Sequence, residues 1–412
     1  LSKRAHLATS ALAAVALAAV GALLIAGVSA GVHRRGCGGA TDATYLASDF
    51  AVARQIDIGE HVGNAVKRAL HTIESDQLLS AAVAAGDLPA VRSEVLALVY
   101  NHEHIVRLRV TRGGRVLDDL GGPLVLAPVR GVLRSGGALV GRFVMSIQDD
   151  AGYRKLAERL VGARVVITDR GGTLMSDVAA PSAALPARGA VTLAGRRYLV
   201  ASFADGRFPT GTLRISLLFA APPSTLARSS CAQVRADVAA NVALRAYQQS
   251  LSGPQVLPAI TTLTLDQALP QALAAGDAAG AARIVAGIVK GGGFATLRVF
   301  VAGRLIAAAK SSPYAVIAPL RRDIRERTGA VVGVARFAVQ TVWGYVSLAQ
   351  ELSGAAVLVR AGPRQLAGTF PGPRRVPASG TVSYRGRRYA VASFRASSYP
   401  DGPIRIYVLV SS

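Results

Sequence analysis

The chain says the same thing twice, and this limits the folds open to it. Residues 152–165, GYRKLAERLVGARV, return at 344–357 as GYVSLAQELSGAAV, with Gly, Tyr, Leu, Ala, Leu, Gly, Ala and Val in register. GRRYLVASF at 195–203 returns as GRRYAVASF at 386–394, Leu108-Arg109-Val110 as Leu297-Arg298-Val299, and Gly86-Asp87 as Gly276-Asp277. The offset is about 190 residues throughout, far beyond the roughly 20–50 of a solenoid repeat. Two copies of one globular domain therefore lie in tandem. A chain of 412 residues with 51% apolar composition can build a core for each.

Residues 7–32 carry no charge and follow Lys3 and Arg4. That run exceeds the roughly 7–15 residues of a signal-peptide core and reaches the roughly 17–25 of a spanning helix. Residues 1–32 are expected to be a retained transmembrane signal anchor, with a signal peptide cut near Val28-Ser29-Ala30 as the alternative. Basic residues flank both ends of the run, but long domains translocate largely regardless of such charge. The bulk of the chain is expected outside the cytoplasm, held at the cell membrane by a single pass or, after cleavage, secreted. The only cysteines, Cys37 and Cys231, each precede the helical region of one copy by a comparable distance. An even count in an exported chain favours one disulfide between the starts of the two modules, with two free thiols as the alternative.

Module boundaries follow at 33–222 and 223–412, the first closing near Pro222-Pro223. Apolar residues at spacings of three and four predict a long helix over 41–82 and a second over 88–100. From Ile105 the period becomes two, with Val106, Leu108 and Val110 on one side and Arg107 and Arg109 on the other. A strand over 138–147, a helix from about Gly152 capped by Asp149 or Asp150, a strand over 164–168 and a hairpin over 190–203 come next. A strand over 212–219 closes the copy. The second copy repeats this order, with Pro254 and Pro258 expected to interrupt its long helix.

The net charge of +23 is carried mainly by arginine. Such a surface suits anionic lipid, anionic wall polymer or an anionic small molecule. Nucleic acid is not expected, because the arginines form no basic stripe with aromatic platforms. All six histidines lie at or before His104, so neither copy's sheet region holds one for an acid–base or nucleophilic pair. No phosphate-binding glycine loop, HExxH or other cofactor motif occurs, and neither enzyme nor cofactor is expected. His102 and His104 could bring two imidazoles together with His71 as a third ligand, but a lone HxH is more often a surface feature, and no metal site is expected.

The stretch SIQDDAGYRKLAERLVGARVVITDRGGTLMSD, residues 146–177, together with GRRYLVASF and GTLRISLLF, resembles the Cache or PDC family of extracytoplasmic sensors. The resemblance implies an α+β fold: an N-terminal transmembrane helix, then two tandem PAS-like modules, each a long helix packed on a central antiparallel sheet. It also implies small-molecule sensing, signalling through a partner protein or an output domain, and a homodimer paired by membrane-proximal helices. An envelope scaffold binding anionic polymers or lipids is the alternative. In such sensors one sheet face lines a ligand cavity. On that model the ligand contacts are Arg107, Arg109, Arg142, Tyr153 and Tyr198 in the first copy, and Arg298, Arg336, Trp343, Tyr345 and Tyr389 in the second. The second copy replaces Asp149-Asp150 by Thr341-Val342 and the Asp169 turn by Arg360-Ala361-Gly362, which argues against one ligand shared by both copies.

Overall fold

The computed structural model describes residues 37, 40–101, 105–179, 184–222 and 229–412. The apolar run over 7–32 and the His102/His104 pair lie outside the described residues. Among the described residues no helix is long and apolar enough to cross a membrane.

Each copy builds two antiparallel sheets where one was expected. In the first copy β1 (Arg107–Arg112), β2 (Arg115–Gly121), β4 (Val129–Ser135) and β5 (Ala138–Ser146) form a four-stranded sheet in the order β2-β1-β5-β4. A second sheet, in the order β8-β7-β11-β10-β9, takes β7 (Arg164–Asp169), β8 (Gly172–Ser176), β9 (Arg188–Leu193), β10 (Arg196–Gly206) and β11 (Thr212–Ala220). The strands separate because β5 pairs with both β1 and β4 and so has no free edge for β7. Between the sheets runs a two-strand ladder of β3 (Val125–Leu126) and β6 (Gln148–Asp149).

The long helix also divides. α1 (Thr41–Val62) ends at Gly63, where a Cβ would stand 2.4 Å from the Gly59 carbonyl oxygen, and α2 (Asn64–Glu74) follows. Asp76 then caps α3 (Gln77–Ala85) by accepting from the Leu79 amide at 2.9 Å, and α4 (Leu88–Asn101) completes the set. α2, α3 and α4 cover the first sheet, with Val66, Ile73, Leu79, Val91 and Val95 against Leu108, Val110, Phe143 and Met145. α1 instead packs on the second sheet with α5 (Asp150–Val161), placing Leu46, Val52, Ala53 and Ile56 against Val165, Ile167, Ile215 and Leu217. Alternating apolar residues on the strands and a three-and-four repeat on the helices give each sheet its own core.

The second copy repeats the plan with α6 (Cys231–Ser252), α7 (Val256–Leu265), α8 (Ala268–Ala274) and α9 (Ala278–Lys290), then a four-stranded sheet. That sheet has the order β13-β12-β16-β15, from β12 (Thr296–Val301), β13 (Arg304–Lys310), β15 (Leu320–Arg325) and β16 (Val331–Ala338). The break in the long helix falls at Gly253-Pro254, while Pro258 sits in the first turn of α7, where a missing N–H costs little. α10 (Val342–Ser353) and α6 pack on the second sheet, formed chiefly by β18 (Ala356–Ala361), β21 (Arg387–Tyr399) and β22 (Gly402–Ser411). Asp149 and Thr341 each cap the helix that follows, accepting from the Gly152 amide at 2.6 Å and the Gly344 amide at 3.0 Å.

α1 and α6 pack on each other, with Val242 of α6 in the same core as Leu46, Val52 and Ile56 of α1, and Arg245 of α6 also donates to the Glu158 carbonyl of α5 at 2.9 Å. Cys37 and Cys231 are joined by a disulfide across 194 residues, with 4.6 Å between their Cα atoms. Closing so long a loop is worth about 5 kcal/mol in the chain-entropy view. Cys231→Ser or reduction should therefore lower the melting temperature by many degrees, and an unchanged melt would show that helix packing alone joins the copies. Acidic groups on α1 give a second expectation. Burial pushes the Asp49 carboxyl from 3.8 up to about 7, and burial with the nearby Asp205 charge pushes Asp57 up to about 6. Raised carboxyls make the folded chain bind more protons than the unfolded one, so stability falls as pH rises from about 4 through about 7. Melting should occur higher at pH 5 than at pH 8, and Asp49→Asn should narrow the gap; an equal gap in the variant would contradict this account.

Candidate functional site

The outer faces of the two four-stranded sheets carry the arginines. Leu108 and Val110 point into the core, so alternation turns Arg107 and Arg109 outward. Pairing then builds a cross-strand row, because Arg109 faces Asp119 on β2 and Val144 on β5, and Val144 faces Arg130 on β4. Asp119 gathers both arginines. Arg107 donates to it through Nε at 2.9 Å and Nη2 at 3.0 Å, and Arg109 through Nε at 2.8 Å. Burial alone would raise the Asp119 carboxyl, but the hydrogen bonds from Arg107 and Arg109 outweigh it and hold it below the ordinary carboxylate range. Both guanidiniums lie over Phe208, at 4.8 and 6.0 Å from the ring centre.

The same row in the second copy has different chemistry. Arg298 on β12 faces Ala308 on β13 and Arg336 on β16, and Arg336 faces Arg321 on β15. The row Asp119-Arg109-Val144-Arg130 thus becomes Ala308-Arg298-Arg336-Arg321. Three arginines stand side by side where the first copy has two and a carboxylate. Among the described residues no carboxylate pairs with any of the three, and the Arg298 Nε is buried without a hydrogen-bond partner. Aromatic faces support them: Arg298 lies 4.8 Å from the Tyr399 ring centre and 5.8 Å from Phe300, and Arg336 lies 5.1 Å from Phe300. Tyr399 holds the place of Phe208; each precedes a cis proline, Pro400 and Pro209.

The other expected contacts do not join these rows. Arg142 is exposed further along the first sheet, facing Thr111 and Val132. Register also corrects its expected match to Arg336: the partner of Arg142 by position is Val334, and Arg336 replaces Val144. Tyr153 and Tyr345 are core residues at 2% and 0% exposure, which removes them from any open face. The Tyr345 hydroxyl donates to the Ala243 carbonyl at 2.8 Å, whereas that of Tyr153 has no partner. Tyr198 and Tyr389 pack on the far sides of the second sheets, Tyr389 against Phe370. Trp343 is exposed and meets Tyr314 edge to face. An open groove of about 1100 Å³ beside the Phe208-Pro209 corner is lined by Asp169, Ser202, Arg207, Phe208 and Arg214. It is already crossed by the Arg207–Asp169 pair.

Asp119, Ala308, Arg130, Arg321, Phe208 and Tyr399 were not among the expected contacts. Asp119 lies on the strand that follows the Gly113-Gly114 turn, and its partner depends on which strands pair.

No protein-family model matches the chain, and no curated protein matches it. Among solved structures it is similar to the periplasmic domain of Vibrio cholerae LuxQ, at 10% identity over 44% of this chain and 98% of that one, with a TM-score of 0.29. A second LuxQ periplasmic structure gives 10%, 44%, 97% and 0.28. An extracellular ligand binding receptor from Desulfohalobium retbaense gives 13% identity over 42% of this chain and 40% of that one, with a TM-score of 0.26. By name these neighbours are periplasmic domains and an extracellular ligand binding receptor; at these scores none bears on what this chain binds.

The two rows make opposite forecasts for exchange of one side chain. Asp119→Ala leaves two half-buried guanidiniums side by side on β1 without their counter-charge and should cost about 1–3 kcal/mol, read as a lower melting temperature. Ala308→Asp, at an exposed position beside Arg298, should raise it. A neutral Asp119→Ala or a destabilising Ala308→Asp would show that the rows are not electrostatically coupled.

Proposed function

We propose that the chain is an extracytoplasmic sensor of the Cache type, anchored through residues 1–32, that captures a small anionic molecule on its second copy. The row Arg298-Arg336-Arg321 carries this reading. Like charges directly opposite on neighbouring strands destabilise a sheet, and a carboxylate or phosphate lying across them removes that repulsion. Guanidiniums bind such groups through paired N–H donors, each charged hydrogen bond contributing about 1.5–3 kcal/mol. The first copy has Asp119 in that role already, so its arginines are satisfied from within.

The site also has a route to the long helix. Tyr399, stacked on Arg298, ends strand β21, and the Ser397 amide on that strand donates to the Tyr247 hydroxyl of α6 at 3.1 Å. Drawing Arg298 toward an anion changes its contact with Tyr399 and so loads the strand held by α6. The output passes to a partner protein or a further domain. The chain binds its ligand without transforming it, and the disulfide suits an oxidising location.

The test is thermal melting of the full chain with small mono- and dicarboxylates, inorganic phosphate, amines and neutral sugars. A carboxylate or phosphate at 100 times its dissociation constant should add about 2.7 kcal/mol of stability. Arg298→Ala and Ala308→Asp should each abolish the shift, and Arg142→Ala should keep it. A shift given only by amines or sugars, or one surviving Arg298→Ala, would refute the assignment. Stabilisation by long polyanions alone, lost with added salt, would favour the envelope scaffold.

A further inference from the structure

We propose that Asp57, His61 and Asp205 form a binding site for one divalent transition-metal ion of the zinc type. The site lies in the first copy, away from the arginine rows, and does not depend on what they bind. Asp57 and His61 are four residues apart on α1 and so share one helix face. Asp205 comes from β10, and one ligand-type atom from each of the three lies within 4.8 Å of the others. His61 Nε2 stands 2.8 Å from Asp205 Oδ1. Metal–ligand bonds of about 2.0–2.2 Å need ligand atoms spaced by roughly 3.3 Å, so a small opening of this contact admits an ion.

Two observations separate the cluster from an ordinary buried ion pair. Tyr153 is 2% exposed, its hydroxyl has no hydrogen-bond partner, and it lies in the electrostatic field of Asp57, Asp205 and Glu60. A buried hydroxyl without a partner costs free energy unless a ligand, ion or water completes it. Its counterpart Tyr345 is satisfied by the Ala243 carbonyl. The internal repeat supplies the second observation. At the offset of about 190 residues Asp57, His61 and Asp205 become Tyr247, Leu251 and Ala396, and Arg54 becomes Leu244. The same backbone therefore closes this junction with no charge at all, and Tyr247 simply packs edge to face on Tyr345 at 6.4 Å. Two carboxylates at 4% and 8% exposure are not required by the fold. Arg54 compensates only one of them, reaching Asp57 Oδ2 at 2.5 Å while its guanidinium lies over Phe203.

The donor set selects the ion. One imidazole and two carboxylates are too few oxygens for calcium and suit zinc or a neighbouring transition metal, with a fourth position left to water. The scaffold is rigid on the Asp205 side, since its Oδ2 accepts from the Ala127 amide at 3.2 Å and its Oδ1 from the Gly206 amide at 2.6 Å. Ala127 belongs to the corner between β3 and β4, so a bound ion pins α1 to the passage between the two sheets of the first copy.

Chelator-treated full chain titrated with Zn²⁺ should take up one ion per chain and melt several degrees higher. Co²⁺ should give visible absorption bands that Zn²⁺ bleaches. His61→Gln and Asp205→Asn should each lose both signals, as should the triple replacement Asp57→Tyr, His61→Leu and Asp205→Ala, which copies the second module and should fold without metal. Ala308→Asp should bind the ion normally, separating this site from the arginine row. No response to Zn²⁺, Co²⁺, Mn²⁺ or Ni²⁺ would overturn the proposal, as would a response that persists in His61→Gln and Asp205→Asn.

Discussion

Everything in this fold leans on the packing of α1 against α6. Each helix is the floor of its own copy's second sheet; α6 contributes Val242 to the first copy's core and sets Arg245 beside Asp49 of α1 and on the Glu158 carbonyl of α5. The Cys37–Cys231 disulfide closes the same join from the chain's start. Because both helices are held this way, the ends of β10 and β21 are held as well, and these ends deliver Phe208 and Tyr399 over the arginines of the first sheets. In the second copy Tyr399 meets Arg298 at the end of the strand whose Ser397 amide donates to the Tyr247 hydroxyl of α6.

Duplication lets the chain serve as its own control. Matching backbones carry different polar solutions at two places, and the differences run in opposite directions. On the outer sheet face the first copy is closed by Asp119 while the second presents three arginines without a carboxylate. At the helix–sheet junction the second copy is closed by Tyr247 and Tyr345, while the first buries Asp57 and Asp205 beside a partly exposed His61. A charge placed where its twin needs none is a better indication of function than a charge on a unique fold. The arginines alone, scattered through a chain of net charge +23, would carry much less.

Local features were legible in the sequence because local physics sets them. Period-two alternation put Arg107 and Arg109 opposite Leu108 and Val110, and Asp149 caps its helix as a short acidic residue before Gly152 suggests. What escaped was strand pairing. Nothing near β5 says that it takes β1 and β4 as neighbours and leaves β7 to a second sheet, since that choice depends on how separate helical faces pack. The match of Arg336 to Arg142 failed for this reason, being two positions away from the true register. Asp57 and His61 were readable as an i, i+4 pair, but Asp205 comes from 144 residues beyond His61 and joins them only in the fold. Tyr153 and Tyr345 looked amphipathic enough for a pocket, and burial against α1 and α6 decided otherwise.

The central claim is that the two arginine rows differ in whether they have room for an external anion. Side-chain NMR of the arginine Nε–H groups in the full chain, titrated with a small dicarboxylate, reads this at the atoms concerned. The account predicts that the signals of Arg298 and Arg336 move with saturation while those of Arg107 and Arg109, already bonded to Asp119, stay in place. Movement of Arg107 and Arg109 with Arg298 unaffected would contradict it.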